Sequence, residues 1–315
     1  MRPRFEGGRK KERNYMTIRT VSGDIRREAL GIILPHEHIF CASEVLLTMG
    51  GASYFDKEQL FSAACAYLSL MKQTYGLGTF LDCTPVNLGR DIDLLRRISE
   101  KSGVHIIAST GFYHTEEPLF EKMETEKLAA YTVADAQKTN AGAIKCAVEE
   151  GVLSPLMEKL LRACAMAHRE TKLPIILHTN AKNQNARQAL PILFSEGASP
   201  RAVTVGHLSD TDDLSYLKEI AAMGVYVGFD RLYDNRSKEY VEKKVSAIRA
   251  LVGAGHEDQI LLSHDALFLN GFDERPTVCE KPRFAYLFEC ILPCFSASER
   301  KKLTIDNPCR MLCCQ

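Results

Sequence analysis

Eight short apolar or β-branched runs recur along the chain, and each is followed by enough residues for a helix. They occupy 31–34, 79–82, 105–109, 143–146, 174–177, 202–205, 225–228 and 259–262. Two of the intervening segments, 156–170 and 213–224, have the apolar spacing of helices, and the second opens with aspartates and stops at a glycine. Strands that alternate with helices predict a parallel sheet of the α/β class. Eight such units within about 250 residues favour a closed (β/α)8 TIM barrel in a single domain.

An open, doubly wound sheet is the structural alternative to the barrel. That fold would be expected to carry a glycine-rich, phosphate-binding turn directly after its first strand. The first run continues into "LPHEHIF", which is not such a turn. The chain therefore favours the closed barrel.

Composition narrows the class of partner and the compartment. The formal net charge is +0, which disfavours nucleic acid or an anionic membrane as a partner, and no 18-residue apolar run predicts a membrane span. The 11 cysteines lack paired spacing, so reduced thiols in the cytoplasm are expected. Residues 1–15 are basic and lack the apolar core of a secretory signal. We expect them to form a disordered leader, with the barrel over 16–315.

Polar, chemically versatile side chains stand at the carboxyl ends of five of these strands. Barrel enzymes place their chemistry at that end of the sheet, so these side chains are expected to lie close together. The first strand ends in "PHEHIF", where two histidines two positions apart share one face and Glu37 points the other way. The sequence gives Glu37 no expected chemical role. The candidate metal ligands are His36, His38, Lys145, His178, His207 and Asp265.

Each of these residues also has an ordinary structural interpretation. A single histidine at a strand end is more often a satisfied polar residue than a ligand, and Asp265 alone would suit a helix cap. Lys145 is harder to explain in this way, because a lysine inside an apolar strand is costly unless it is paired or chemically altered. The set as a whole therefore favours the functional interpretation.

Four histidines, a carboxylate and a lysine suit two divalent metal ions. Imidazole favours zinc, iron, cobalt or nickel, and a carboxylate also accepts manganese; zinc is our first expectation. A protonated lysine would repel the ions, whereas carbamylation by carbon dioxide turns Lys145 into an anion with two oxygens. Carbamate, Asp265 and a bridging hydroxide together cancel three of the four positive charges. Such a site would polarise a substrate oxygen while the hydroxide attacks.

Longer segments resemble a known family. They include "TVSGDIRREALGIILPHEHIF", "NLGRDIDLLRRISEKSGVHIIASTGFY", "AGAIKCAVEEG", "VTVGHLSDTDDLSYLKEIAAMGVYVGFD" and the closing "DNPCRML". In this order they resemble the phosphotriesterase family of the amidohydrolase superfamily, over residues 17 to about 311. The resemblance implies that the histidine pair of the first strand and Asp265 hold a buried ion. The histidines of the fifth and sixth strands would hold a more exposed one, with N6-carboxylated Lys145 and a hydroxide as bridges.

The same resemblance implies roles for residues around the metals. Asp265 would accept the proton as the hydroxide attacks, and Asp210 would assist proton removal by pairing with Arg231, unless it only caps a helix. Tyr113 and Arg231 stand where the family's lactonases carry tyrosine and arginine, and where its phosphotriesterases proper carry tryptophan and histidine. Tyr113 and Arg231 would then bind the substrate, and the predicted enzyme is a lactonase acting on a small molecule. Family members are often homodimers, so a homodimer is a further expectation.

Some choices stay open at this point. A phosphotriesterase or carboxylesterase is the alternative within the class, and a non-catalytic metal- or ligand-binding barrel is a lower-ranked alternative. The segment between 113 and 141 is shorter than in the phosphotriesterases proper, and the loop "ALFLNGFDERPTVCEKPRFAY" does not match a known lactonase loop. Its Arg275, Lys281 and Arg283 could bind a phosphate or carboxylate, but a solvated surface is the stronger expectation. The sequence does not define the ring size, acyl chain or charge of the substrate.

Overall fold

A computed structural model describes residues 17–115, 117–233 and 235–313. The predicted leader, 1–15, lies outside these residues. Within them, eight parallel strands form one sheet in chain order, and all eight predicted runs are confirmed. The strands are β1 Ile32–Glu37, β2 Leu77–Asp82, β3 His105–Gly111, β4 Ala143–Ala147, β5 Ile175–His178, β6 Val203–Val205, β7 Tyr226–Phe229 and β8 Ile260–Leu262. The architecture is the predicted single-domain (β/α)8 barrel.

Helices surround the sheet in the described part of the chain. They are α1 Glu44–Gly50, α2 Lys57–Tyr75, α3 Ile92–Ser102, α4 Pro118–Lys122, α5 Thr125–Thr139, α6 Pro155–Thr171, α7 Ala186–Ser195, α8 Leu214–Ala222, α9 Lys238–Gly253, α10 Ala297–Lys301 and α11 Asn307–Leu312. Two short strand pairs lie outside the barrel sheet. Thr17–Ile18 pairs antiparallel with Ile25–Arg26, and Phe40–Cys41 pairs parallel with Leu269–Asn270. None of the described helices is long and apolar enough to cross a membrane.

Local sequence explains the helix ends. Helix α8 begins where the Asp213 side chain accepts hydrogen bonds from the backbone N–H groups of Ser215 and Tyr216. Helix α6 begins at Ser154, whose hydroxyl accepts from Met157 N, and carries Pro155 in its first turn, where no N–H donor is needed. Both helices lie where the sequence predicted them.

The barrel closes between β1 and β8 through two kinds of contact. The backbone contributes hydrogen bonds from His38 N to Ala266 O at 2.9 Å and from Asp265 N to His36 O at 3.2 Å. Among the described residues these two strands share no β-ladder, but the buried carboxylate of Glu37 spans the gap. Its Oε1 accepts from Ser263 Oγ at 2.8 Å and His264 N at 2.9 Å, and its Oε2 accepts from Ala266 N at 2.9 Å. The sequence assigned no role to Glu37; the structure shows that it joins the two edges of the sheet.

Inward-facing positions change character along the strands. At the amino end the interior is apolar, with Ile33, Ile107 and Ile176 packed against Met311 of α11. Two residues further along β5 the inward position is His178, because side chains on a strand alternate between its two faces. Strand β4 follows the same rule, with Ala143 below and Lys145 above. The barrel therefore has an apolar floor and a polar mouth at its carboxyl end.

Candidate metal centre

The six predicted ligands converge at the mouth of the barrel. The two histidines of β1 face Asp265, which follows β8: Nε2 of His38 lies 3.2 Å and Nε2 of His36 lies 3.7 Å from Asp265 Oδ1. Lys145 Nζ lies 2.8 Å from His36 Nε2. We call His36, His38 and Asp265 the inner half of the site. Its ligand atoms are close enough to hold a single ion.

Two further histidines form the outer half of the site. Nδ1 of His178, at the end of β5, lies 2.7 Å from Nε2 of His207, which follows β6. Both side chains are buried. His207 and Asp265 have positive φ values of 65° and 49°, an uncommon backbone conformation for residues other than glycine. The chain adopts this conformation where it turns these two side chains into the site.

Asp230, at the end of β7, orients one histidine in each half. Its Oδ2 lies 2.5 Å from His36 Nδ1, and its Oδ1 accepts from His207 N at 2.6 Å and lies 3.2 Å from His207 Nδ1. The carboxylate is buried, and its pKa is lowered because the two histidines outweigh the cost of burial. Gly206 leaves room for it, since a Cβ at that position would lie 3.0 Å from Asp230 Oδ2. The sequence analysis missed Asp230, although its place directly after a strand was a usable signal.

Thr84 and Glu149 hold the remaining two histidines. Nδ1 of His38 lies 2.8 Å from Thr84 Oγ1, and Nε2 of His178 lies 2.9 Å from Glu149 Oε2. Each of the four histidines thus has one ring nitrogen bound to an oxygen and the other turned toward the site. This is the arrangement that orients metal-binding imidazoles in proteins. Neither Thr84 nor Glu149 was predicted, because nothing local marks a residue that contacts a histidine far away in the chain.

The surroundings shift the pKa values of the site's groups in different directions. Burial, followed by the neighbouring Lys145, lowers the pKa of His36 to about 4, and burial with His207 lowers the pKa of His178 well below its ordinary value. Burial opposes protonation of His38, but Cys41 and Asp265 outweigh it and raise its pKa to about 10. The histidines outweigh burial at Asp265 and lower its pKa. His36, His178 and Asp265 are therefore in the forms that bind metal, neutral imidazole and ionised carboxylate, whereas His38 has to release a proton to do so.

The donor set fits divalent metals of the zinc class. Four imidazole nitrogens and a carboxylate are typical zinc ligands. Asp230 is close enough to His36 and His207 to be counted among possible ligands, but both of its oxygens already contact histidines, so we interpret it as an orienting group. Lys145 is buried, and no carboxylate of the described residues lies within salt-bridge distance of its Nζ. A buried ammonium without such a partner is costly.

Arg231, Asp210 and Tyr113 line or support the cavity above the ligands. Arg231 Nε donates to Asp265 Oδ2 at 2.9 Å and its Nη1 donates to Asp210 Oδ2, also at 2.9 Å. These contacts raise the pKa of Arg231 against the effect of burial. Helix α8 is capped by Asp213, not by Asp210. Tyr113 packs edge-on against His178, with ring centroids 5.3 Å apart.

The cavity itself has a volume of about 420 Å³. Its lining includes Cys41, Leu88, Tyr113, Leu267 and Phe272 in addition to groups of the site. A larger surface cavity of about 480 Å³ lies beside α1 and α3, but it contains none of the predicted ligands. The chemistry of the donor set, not cavity size, identifies the functional site.

The basic residues of the loop after β8 have different roles. Arg275 and Lys281 are exposed, which agrees with the solvated surface that we expected. Arg283 is half-buried: its Nη2 donates to the backbone oxygens of His264 at 2.7 Å and Asp265 at 3.2 Å, and its guanidinium lies over the Tyr233 ring. Arg283 therefore supports the backbone that carries Asp265.

Fold and site together define a (β/α)8 barrel with a candidate His/Asp metal centre at its mouth. The chain belongs to the phosphotriesterase family, whose model matches residues 16–312. It is 32% identical to an aryldialkylphosphatase of Saccharolobus solfataricus over 259 residues, 79% of this chain and 82% of that protein. A phosphotriesterase homology protein of Mycobacterium tuberculosis is 28% identical over 317 residues, covering 93% and 97% of the two chains.

A more distant relative widens the range of chemistry in the family. An N-acetyltaurine hydrolase of Salmo salar is 26% identical over 344 residues, covering 94% of this chain and 97% of that protein. Its name describes cleavage of an amide, whereas aryldialkylphosphatase describes cleavage of a phosphate ester. Membership of the family supports a hydrolase but does not restrict the bond to an ester.

Proposed function

We propose that the protein is a binuclear metal-dependent hydrolase and that it acts as a lactonase. The observation that carries the proposal is the convergence of four oriented histidine nitrogens, Asp265 and a buried Lys145 below a cavity. Residues from five separate strand ends supply this set, which is hard to explain as a group of unrelated core residues. It also argues against the lower-ranked non-catalytic barrel, which would be expected to lack at least one ligand.

The two halves of the site would each hold one ion. His36, His38 and Asp265 would hold the inner ion, and the two outer histidines the other, with N6-carboxylated Lys145 shared between them. Zinc suits these nitrogen and oxygen ligands best, with manganese, iron, cobalt and nickel as alternatives. Such ions, when bound, lower the pKa of water and polarise a carbonyl or phosphoryl oxygen.

The chain's own residues would then handle the proton and the substrate. Asp265 would accept the proton of the attacking water, and its position among the proposed ligands supports this role. Arg231 holds one of its oxygens and is itself held by Asp210, so both residues fix the orientation of the base. Tyr113 and Arg231 also line the cavity, where they would position the lactone ring and its oxygen.

The preference for lactones rests on Tyr113 and Arg231, which resemble the family's lactonases at these two positions. A phosphotriesterase or carboxylesterase is the alternative, supported by the relative named aryldialkylphosphatase. A homodimer, a cytoplasmic location and a small-molecule substrate without nucleic-acid or membrane partners stay predictions. Light scattering coupled to size-exclusion chromatography would test the first of them.

Steady-state kinetics on a panel of substrates tests the proposal. The panel contains lactones of several ring sizes and acyl chains, with and without phosphate groups, together with paraoxon-like triesters, aryl esters and N-acetylated amines. We expect the highest kcat/KM on a lactone and weak activity on triesters, because both reactions need an activated water and a polarised oxygen. A higher kcat/KM on triesters or amides would overturn the lactonase assignment.

A further inference from the structure

One of the four histidines is held differently from the other three. His36, His38 and His207 contact an oxygen through Nδ1 and turn Nε2 toward the site. In His178 the two nitrogens have the opposite roles. Its Nε2 contacts Glu149 Oε2, and its Nδ1 lies 2.7 Å from His207 Nε2. A neutral imidazole carries its proton on one nitrogen and its lone pair on the other. A carboxylate only accepts, so the proton of His178 lies on Nε2 and the lone pair on Nδ1.

Glu149 is itself fixed by neighbouring amides. Its Oε1 accepts from Asn180 Nδ2 at 2.8 Å, and its backbone oxygen accepts from Asn183 Nδ2 at 3.1 Å. The hydrogen bond from His178 is the largest cause that lowers the pKa of Glu149, to about 2. The side chain is 37% exposed, so this support for the site is reachable from solvent.

Asp230 and Glu149, the two carboxylates that orient histidines of the site, differ in how many of these histidines they contact. Asp230 contacts His36 of the inner half and His207 of the outer half. Among the described residues, the ligand that Glu149 contacts is His178 of the outer half. A change at Asp230 should disturb both ions, whereas a change at Glu149 should disturb one.

We propose that Glu149 is a positioning residue that fixes the tautomer of His178 and thereby governs retention of the outer ion alone. This inference rests on the proposed two-metal function. Without an acceptor at position 149, His178 can carry its proton on Nδ1 or rotate, and the outer half loses a donor. Changes to groups that orient metal-binding histidines typically lower metal affinity about 10–100-fold.

Zinc release from the full-length protein tests the inference without using activity. The unaltered chain, Glu149→Met, Glu149→Gln and the control Glu150→Met are loaded with zinc in bicarbonate and dialysed against graded free zinc set by a chelator. Zinc per chain is then measured by mass spectrometry. Methionine has a similar length but no acceptor, glutamine keeps an acceptor without the charge, and exposed Glu150 is the neighbouring carboxylate.

We expect Glu149→Met to release one ion at about 10–100-fold higher free zinc than the unaltered chain, and the second ion at an unchanged level. Glu149→Gln should release this ion at a free zinc concentration between those of Glu149→Met and the unaltered chain. Glu150→Met should release both ions at the same concentrations as the unaltered chain. If Glu149 acts through His178, adding Glu149→Met to His178→Ala should change nothing further. Asn180→Ala, which removes only a partner of Glu149, should give a smaller shift in the same direction.

Melting temperatures separate a loss of fold from a loss of metal. The inference is overturned if a folded Glu149→Met chain keeps both ions as tightly as Glu150→Met, or loses both in parallel. An unaltered chain that never binds a second ion would overturn the proposed function as well. The two failures are therefore distinguishable.

Discussion

The two ends of the barrel interior are formed by the same strands but obey different constraints. At the floor, inward positions such as Ile33 and Ile176 pack against Met311, and burial of apolar surface is what stabilises them. At the mouth, inward positions such as Lys145 and His178 are equally buried but polar, and each needs a specific partner. Apolar packing at the floor therefore stabilises the barrel, whereas the polar groups at the mouth form the candidate metal centre.

The largest expected effect is at the mouth. Lys145→Ala should lose metal and activity together, because it removes the group proposed to be shared by both ions. We expect kcat/KM to fall by more than the roughly 100-fold that changes to orienting groups cost. Short carboxylic acids should restore part of the activity, since a carboxylate can replace the carbamate. Metal analysis and kinetics with and without acetate measure this, and full activity in the variant would contradict the carbamate.

A change at the floor should give the opposite result. Ile176→Ala removes a fully buried side chain and should lower the free energy of unfolding by about 2–5 kcal/mol. Zinc content of the folded fraction should be unchanged. Leu70→Ala, at a leucine that is 48% exposed, is the matched control and should change stability by less than about 0.5 kcal/mol. Loss of zinc in Ile176→Ala at low temperature would show that the two ends are not separable.

Glu37 is polar and lies at the mouth but is not a proposed ligand, so it tests whether a polar group there can contribute to stability. Glu37→Gln keeps the size but places an NH2 group where one oxygen accepted hydrogen bonds from the β8 side. We expect a loss of about 1–3 kcal/mol in unfolding free energy. Denaturant unfolding measures it, with Glu100→Gln at an exposed position as the control. An unaltered stability would mean that the carboxylate does not join β1 to β8.

Low pH should reduce the stability of the metal-free protein through histidines at the mouth and not through the apolar side chains of the floor. The pKa of His36 is about 4 in the folded chain against an ordinary 6.5, so between these values the unfolded chain binds the extra proton. Stability of the chelator-treated protein should therefore fall as pH drops from 6.5 to 4, and His178 acts in the same direction. His36→Asn should flatten this part of the curve of melting temperature against pH. Ile176→Val should leave the shape of this curve unchanged. An unaltered slope between pH 6.5 and 4 in His36→Asn would contradict the lowered pKa of His36 as its cause.

The fold, and the convergence of the proposed ligands at the mouth, were predictable because their signals are local. Each strand is a contiguous apolar run, and each predicted ligand lies within the carboxyl half of a strand or a few residues after it, as His178 does in "PIILHTN". The partners that orient the ligands were not predictable in this way. His36 and Asp230 are 194 positions apart, and Glu37 and Ser263 are 226 apart. Such contacts exist only after the barrel has closed. A place soon after a strand marks Asp230, Thr84 and Glu149 as residues of the mouth, but it does not show which histidine each of them contacts.

Anomalous X-ray scattering tests the two-metal centre most directly. Crystals of the zinc-loaded protein, grown with bicarbonate, would be measured on both sides of the zinc absorption edge. We expect two peaks, one among His36, His38 and Asp265 and one beside His178 and His207, with carbamate density on Lys145. A single peak, or an unmodified Lys145 amine still in contact with His36, would contradict the account.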